Sequence, residues 1–98
     1  MILPVVGMTY NGRQAVIANL KPDEQLILRR EPTNPYDRNA IAVDRKTGEQ
    51  IGCIDRNIAA VLAPTFEKLN SPLPATVYRL SGVGTASSLG VEIKFSLT

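Results

Sequence analysis

A chain of 98 residues with 44% hydrophobic and 20% charged residues has the composition of one small globular domain with a modest hydrophobic core. Its formal charge of +2 is too small to indicate a polyanion-binding protein by itself. The absence of histidine and the single cysteine, Cys53, exclude an internal disulfide and the usual zinc, copper and haem ligand sets. We therefore expect no metal and no cofactor.

The first part of the chain predicts two strands separated by a short helix. A strand over residues 5–10 is expected to end at Asn11, which would cap a helix over 13–20 with Gln14 as its capping partner. The apolar residues that begin at 26 predict a second strand over 26–30.

The middle of the chain predicts a loop followed by a β-hairpin. Pro32 and Pro35 favour a non-helical loop. The apolar runs 40–43 and 50–54 are separated by a polar stretch whose turn signal is at residues 47–48. These two runs predict the hairpin strands.

A second helix is predicted after the hairpin. Asp55 or Asn57 is the expected cap, and apolar residues at three- and four-residue spacing continue to about Leu69. Pro64 is expected to kink the helix or to restart it.

Two closing strands are predicted over 75–80 and 90–97, the second from strict alternation of apolar residues. The residues between them, 81–88, are rich in glycine and serine and predict a mobile loop. Together these elements predict a mainly β fold with two helices, arranged as a small, partly open β-barrel of the OB-like or SH3-like kind.

The opening residues 1–6 lack a basic flank and are too short an apolar stretch for a signal peptide. No run approaches the ~20 apolar residues of a membrane-spanning helix. We therefore expect a cytoplasmic protein with no membrane partner.

The segment E-P-T-N-P-Y-D-R-N-A-I at residues 31–41, preceded by V-G-M-T-Y at 6–10 and followed by I-G at 51–52, resembles the HIRAN domain. The resemblance extends over about residues 5–68 and implies a single HIRAN-like domain over 1–98. In the best-known members, which are helicases of the chromatin-remodelling type, this OB-like domain binds the free 3′ end of single-stranded DNA. The resemblance implies a non-enzymatic module that recruits DNA repair or replication machinery. Its implied partners are the 3′ end of single-stranded DNA and a helicase, a nuclease or a phage replication protein.

The resemblance also assigns roles to individual residues. Tyr36 matches the family's stacking tyrosine, and Asp37 matches the aspartate that accepts a hydrogen bond from the 3′ hydroxyl. Tyr10 matches a second tyrosine that supports the terminal nucleotide, and Arg56 stands where the family has a basic residue near the phosphates.

The sequence departs from the family pattern at three places. Thr9 stands where the helicase member has an arginine, and Cys53 stands where it has a histidine. A second base-stacking aromatic has no counterpart in residues 80–84. Arg38 and Arg13 are further candidates for electrostatic contact with the strand.

Two other interpretations remain open. Residues 34–37 are also ordinary turn residues, in which proline fixes φ and the aspartate accepts from the backbone near Asn39. The departures at Thr9 and Cys53 are compatible with a protein-interaction adaptor whose ligand pocket has degenerated and whose docking surface is an exposed strand edge.

A magnesium-dependent nuclease is the enzymatic alternative, because the chain carries four carboxylates near the motif. No lysine follows them at a spacing typical of nucleases, and two of them flank the hairpin turn. We therefore expect no enzymatic activity. The four carboxylates are Asp37, Asp44, Glu49 and Asp55.

Overall fold

The computed structural model describes residues 1–69, 72–82 and 89–97. Within these residues the chain forms six strands and two helices. In chain order they are β1 (Ile2–Val6), α1 (Arg13–Ile17), β2 (Gln25–Arg30), β3 (Ile41–Arg45), β4 (Gln50–Ile54), α2 (Arg56–Leu69), β5 (Leu73–Ser81) and β6 (Gly90–Lys94). The predicted glycine- and serine-rich loop lies outside the described residues from 83 to 88.

The strands form a closed antiparallel barrel in the order β1-β4-β3-β2-β5-β6. Closure depends on β1, whose first half pairs with β6 (Ile2 with Lys94) and whose second half pairs with β4 (Val6 with Cys53). The prediction of a mainly β fold with two helices and a small barrel is confirmed. The barrel is closed rather than partly open, because β1 begins three residues earlier than expected and bridges the two ends of the sheet.

Closure affects the adaptor hypothesis, which needs an exposed strand edge. Each of the six described strands has a hydrogen-bonded neighbour on both sides. A barrel removes the edges to which an extended peptide would add. The described strands therefore do not offer the docking surface expected for such an adaptor.

Alternating apolar residues fill the barrel interior. Leu26 and Leu28 of β2, Val43 of β3 and Ile93 of β6 are at most 1% exposed. The apolar face of α2 covers this core, and its Phe66 ring packs edge to face on Phe95, with the ring centroids 6.5 Å apart. Burial of these side chains is the main stabilising contribution to the fold.

The chain turns immediately after β1 instead of continuing as a strand to residue 10. Gly7 has a φ of +68° and Asn11 a φ of +53°, values in the left-handed region that no strand adopts. The strand therefore ends at Val6, and residues 7–12 form a turn that leads into α1.

The first helix is shorter than predicted, and its capping differs. Its N-cap is Gly12 and not Asn11, with no side-chain cap hydrogen bond, and the helix ends at Ile17. Gln14 does not act as a capping partner, because its side chain instead donates to the Met8 carbonyl at 3.1 Å and accepts from the Leu89 N–H at 2.7 Å. Gln14 thus fixes α1 against the start of β6.

The second helix agrees with its predicted cap and extent. The Asp55 carboxylate accepts the backbone N–H of Asn57 at 3.0 Å, as an N-cap residue does. The helix continues through Pro64 as one element and does not restart there. Pro64 is exposed, whereas Leu62 and Phe66 on either side of it are buried, so the helix packs on the core both before and after the proline.

The hairpin of β3 and β4 is confirmed. The last strand, β6, ends at Lys94, before the predicted limit of residue 97. Beyond it the backbone of Phe95 pairs with Met1. No helix in the described ranges is long and apolar enough to cross a membrane.

Candidate functional site

The loop between β2 and β3 is folded by the side chain of Asn34. A turn hydrogen bond joins the Asn34 N–H to the Glu31 carbonyl at 3.0 Å. The Asn34 side-chain oxygen then accepts the backbone N–H groups of Tyr36 at 2.8 Å and of Asp37 at 3.1 Å. Asparagine commonly mimics a backbone turn in this way. The turn chemistry expected for residues 34–37 is therefore present.

This turn leaves the two central side chains available. The Tyr36 side chain is 88% exposed. Asp37 uses Oδ1 to accept the Asn39 N–H at 2.9 Å, and within the described residues its Oδ2 accepts no hydrogen bond. The turn interpretation and a binding role are therefore compatible, because the turn occupies only one of the two carboxylate oxygens.

Two cavities that share lining residues flank this loop. The outer groove, of about 630 Å³, is lined by Pro32, Thr33, Asn34, Pro35, Tyr36, Asp37, Arg38 and Arg56. The inner cavity, of about 280 Å³, is lined by Val6, Arg13, Glu31, Asn34, Tyr36, Asp37, Ala40, Gln50, Cys53, Ile54 and Arg56. Both linings contain Asn34, Tyr36, Asp37 and Arg56, so the ring and the carboxylate stand at the boundary between the two.

The seven arginines divide into two groups. Four form ion pairs: Arg29 with Asp44 at 2.8 Å, Arg30 with Glu67 at 2.8 Å, Arg45 with Glu24 at 2.8 Å, and Arg79 with Glu92 at 3.5 Å. The other three, Arg13, Arg38 and Arg56, form no ion pair within the described residues. Each of these three lines the outer groove or the inner cavity. The guanidinium groups that are free to bind an anion are thus gathered around Tyr36 and Asp37.

Cys53 is half-buried in the wall of the inner cavity. Burial raises the pKa of its thiol, and the nearby Arg13 opposes this effect. The sulfur lies 3.7 Å from the Val6 carbonyl oxygen, to which it is a weak donor. At neutral pH, Cys53 therefore presents a neutral thiol to the cavity.

Gly7 brings Tyr10 next to the inner cavity. A Cβ atom at Gly7 would lie 3.3 Å from Arg13 Nη1, 3.4 Å from Cys53 Sγ and 3.9 Å from Tyr10 Cδ2. Tyr10 is 65% exposed and lines neither the groove nor the cavity itself. The Tyr10 ring and two residues of the cavity wall thus lie around the same glycine.

The structure brings together five of the seven predicted site residues, which are Tyr36, Asp37, Arg38, Cys53 and Arg56. Tyr10 lies beside this group, and the exposed Thr9 lines neither cavity. Sequence reasoning missed Asn34, Glu31 and Gln50 as lining residues. The Asn-Pro pair was a signal for the first, and Glu31 opens the same loop motif, whereas Gln50 depends on strand register. No group of three or more potential metal ligands occurs in the described part of the chain.

The fold and this site define a small closed β-barrel domain that presents an exposed aromatic ring, a carboxylate and three free arginines around one loop. Residues 1–98 match the HIRAN domain family, and the chain belongs to this family. The family identified from the loop motif is thereby confirmed.

Three relatives show the extent of the similarity. The helicase-like transcription factor of Mus musculus is 48% identical over 59 residues, which are 60% of this chain and 5% of that protein. The crystal structure of the HIRAN domain of human HLTF superimposes with a TM-score of 0.70 at 28% identity, over 97% of this chain and 73% of that one. The NMR structure of the HLTF HIRAN domain in its DNA-bound conformation gives a TM-score of 0.64 at 28% identity, over 97% and 72%. The chain thus spans a small part of the curated relatives that it matches.

Proposed function

We propose that this chain is a DNA-binding module, a single HIRAN domain, that recognises the 3′-hydroxyl end of single-stranded DNA. The observation that carries the proposal is the distribution of the arginines. Arg13, Arg38 and Arg56 form no ion pair in the described residues, and they line the cavities that meet at Tyr36 and Asp37. Free guanidinium groups around an exposed ring are suited to a strand with negative phosphates and flat bases. The similarity to an HLTF domain in its DNA-bound conformation supports this assignment.

Tyr36 supplies the stacking surface in this proposal. A base stacked on an aromatic ring contributes about 1–3 kcal/mol without requiring a particular sequence. The ring is almost fully exposed, so it needs no rearrangement to accept a base. Tyr10, on the Gly7 side of the inner cavity, supports the terminal nucleotide.

Asp37 distinguishes the end of a strand from its interior. The Oδ2 atom, which the turn leaves unused, accepts a hydrogen bond from the terminal hydroxyl, a charge-assisted bond worth about 1.5–3 kcal/mol. A 3′ phosphate at about 4 Å would instead be repelled by roughly 4 kcal/mol per unit charge at an effective dielectric constant of ~20. A continuing strand offers no donor at this position.

In this proposal the module binds a DNA end and brings a partner protein to it, without a chemical step of its own. With a single exposed ring at the groove, we expect a dissociation constant of about 1 μM or weaker. Such an affinity suits a domain that directs an attached or associated repair or replication protein, such as a helicase or a nuclease, to free ends.

The experiment is a fluorescence anisotropy titration with one oligonucleotide, labelled on an internal base, in three forms: linear with a 3′ hydroxyl, linear with a 3′ phosphate, and closed into a circle by joining its 3′ and 5′ ends. We expect the hydroxyl form to bind at least about tenfold more tightly than the other two. Equal binding of the three forms would contradict end recognition, and no binding of any form would contradict the proposed function.

Asp37→Asn provides the matched variant, because the amide oxygen can still accept the Asn39 N–H while the negative charge is lost. We expect it to lose most of the discrimination against the 3′ phosphate. Asp23→Asn is the control, since Asp23 is exposed, lines neither cavity, and has a φ of +64° that asparagine tolerates.

A further inference from the structure

We propose that Arg13 binds the phosphate on the 5′ side of the terminal nucleoside, an inference that rests on the proposed function. Arg13 is the first residue of α1 and reaches the inner cavity, where Arg56 arrives from α2. The two guanidinium groups and the Asp37 carboxylate thus line one cavity.

The structure holds the Arg13 side chain in place before any ligand binds. Its backbone N–H donates to the Tyr10 carbonyl at 2.9 Å, which closes the turn before α1. Its Nη1 donates to the Gly7 carbonyl at 2.7 Å. Gly7 allows this approach, because a Cβ atom there would lie only 3.3 Å from Nη1.

The same guanidinium keeps donors for a ligand. Only Nη1 has a hydrogen-bond partner among the described residues, so Nε and Nη2 have none there. Glu31 and Asp37 line the same cavity, but neither forms an ion pair with Arg13 within the described chain. A half-buried arginine that is positioned by one donor, with the others free, is suited to bind two oxygens of one phosphate.

The position of Asp37 identifies which phosphate this is. If Asp37 accepts from the 3′ hydroxyl, the nearest anionic group of the strand is the phosphate attached to the same sugar at its 5′ carbon. Asp37 lines both spaces, whereas Arg13 lines only the smaller inner cavity and Arg38 only the larger outer groove. In this proposal the terminal nucleotide occupies the inner cavity beside Arg13, and the strand continues through the outer groove past Arg38.

The test compares wild type with Arg13→Gln, Arg13→Lys and, as a control, Arg79→Gln, whose arginine is exposed and pairs with Glu92 away from the cavities. Binding of the 3′-hydroxyl oligonucleotide is measured at several salt concentrations. We expect Arg13→Gln to weaken binding about tenfold or more and to reduce the slope of log affinity against log salt by about 0.7, as loss of one phosphate contact predicts. Arg13→Lys should retain the slope but lose part of the affinity, and Arg79→Gln should change neither.

A second titration uses thymidine 5′-monophosphate and thymidine, followed by NMR chemical shifts. The phosphate should perturb the Arg13 Nε–H signal, and Arg13→Gln should reduce the preference for thymidine 5′-monophosphate over thymidine, with Arg56 supplying the remaining preference. An Arg13→Gln variant that remains folded and keeps the wild-type affinity and salt slope would overturn this inference alone. Failure of the wild type to bind any oligonucleotide would overturn both this inference and the proposed function.

Discussion

The side-chain oxygen of Asn34 accepts the backbone N–H of Asp37 at 3.1 Å, so the residue that folds the turn also holds the backbone from which the carboxylate extends. The same oxygen accepts the Tyr36 N–H at 2.8 Å. One amide group therefore holds the backbone of both residues, while the Asp37 carboxylate is itself held by the Asn39 N–H at 2.9 Å. Hydrogen bonds within the loop, and not packing of the exposed Tyr36, maintain this arrangement.

The first prediction concerns Asn34→Ala. The substitution removes two hydrogen bonds to the loop backbone, each worth about 0.5–1.5 kcal/mol net. We expect the free energy of unfolding to fall by about 1–2 kcal/mol and the DNA affinity to fall as well, because the backbone that carries Tyr36 and Asp37 is no longer held. Urea denaturation and anisotropy measure the two effects. Asn34→Asp keeps the acceptor and should retain the stability; a loss as large as that of the alanine variant would contradict the assigned role.

The second prediction concerns the Cys53 thiol. Burial raises its pKa in the folded state, and Arg13 lowers it. The thiol should therefore react with iodoacetamide at pH 8 more slowly than a free cysteine thiol, and Arg13→Gln should slow it further. An Arg13→Gln variant that reacts at the wild-type rate or faster would contradict this effect of the guanidinium on the thiol.

The raised pKa of Cys53 also makes the stability of the fold depend on pH. Because folding raises the pKa of the Cys53 thiol, the folded state disfavours the thiolate. The neutral thiol therefore contributes to the free energy of unfolding, and this contribution is fully present below the unfolded-state pKa of ~8.5. The free energy of unfolding should decrease as the pH rises through and above that value. Cys53→Ala should lack this component when its pH dependence is compared with that of the wild type by urea denaturation.

Local sequence signals predicted several elements of the fold. The hairpin of β3 and β4 follows from the turn residues 47–48, and the start of α2 follows from the Asp55 cap. The role of Gln14 could not be predicted, because its partner Leu89 is 75 residues away. The early start of β1 could not be predicted for the same reason, since its partners β4 and β6 are distant in the sequence.

The candidate site likewise contains some residues whose proximity could be predicted from the sequence and others whose proximity could not. Tyr36, Asp37 and Arg38 are adjacent in one loop, so their proximity could be predicted from the motif. Gln50, at the start of β4, reaches the inner cavity only through the register of the barrel. Tyr10 lies beside the cavity rather than in it, because the chain turns at Gly7.

The third prediction concerns the contact between β1 and β4. A Cβ atom at Gly52 would lie 2.5 Å from the Val6 carbonyl oxygen and 2.5 Å from Val5 Cγ1, and the backbone there cannot yield without opening the barrel. We expect Gly52→Ala to destabilise the fold by about 2–3 kcal/mol. Gly48→Ala is the comparison, because Gly48 has a φ of +95° with open space around it and strain there costs about 1–2 kcal/mol. Equal unfolding free energies for wild type and Gly52→Ala would show that the strands can separate.

The fourth prediction concerns Tyr36→Ala. The ring is 88% exposed and contributes little to the core, so the free energy of unfolding should change by less than about 0.5 kcal/mol. The affinity for the 3′-hydroxyl oligonucleotide should fall about 10- to 100-fold, because one stacked base is lost. Tyr36→Phe should keep most of the affinity, since it keeps the ring.

Tyr78→Ala is the matched control for Tyr36→Ala. Tyr78 is also exposed but lies on β5 and lines neither cavity, so its loss should leave binding unchanged. If Tyr78→Ala weakened binding as much as Tyr36→Ala, the strand would lie on the β5 face of the barrel and not across the loop.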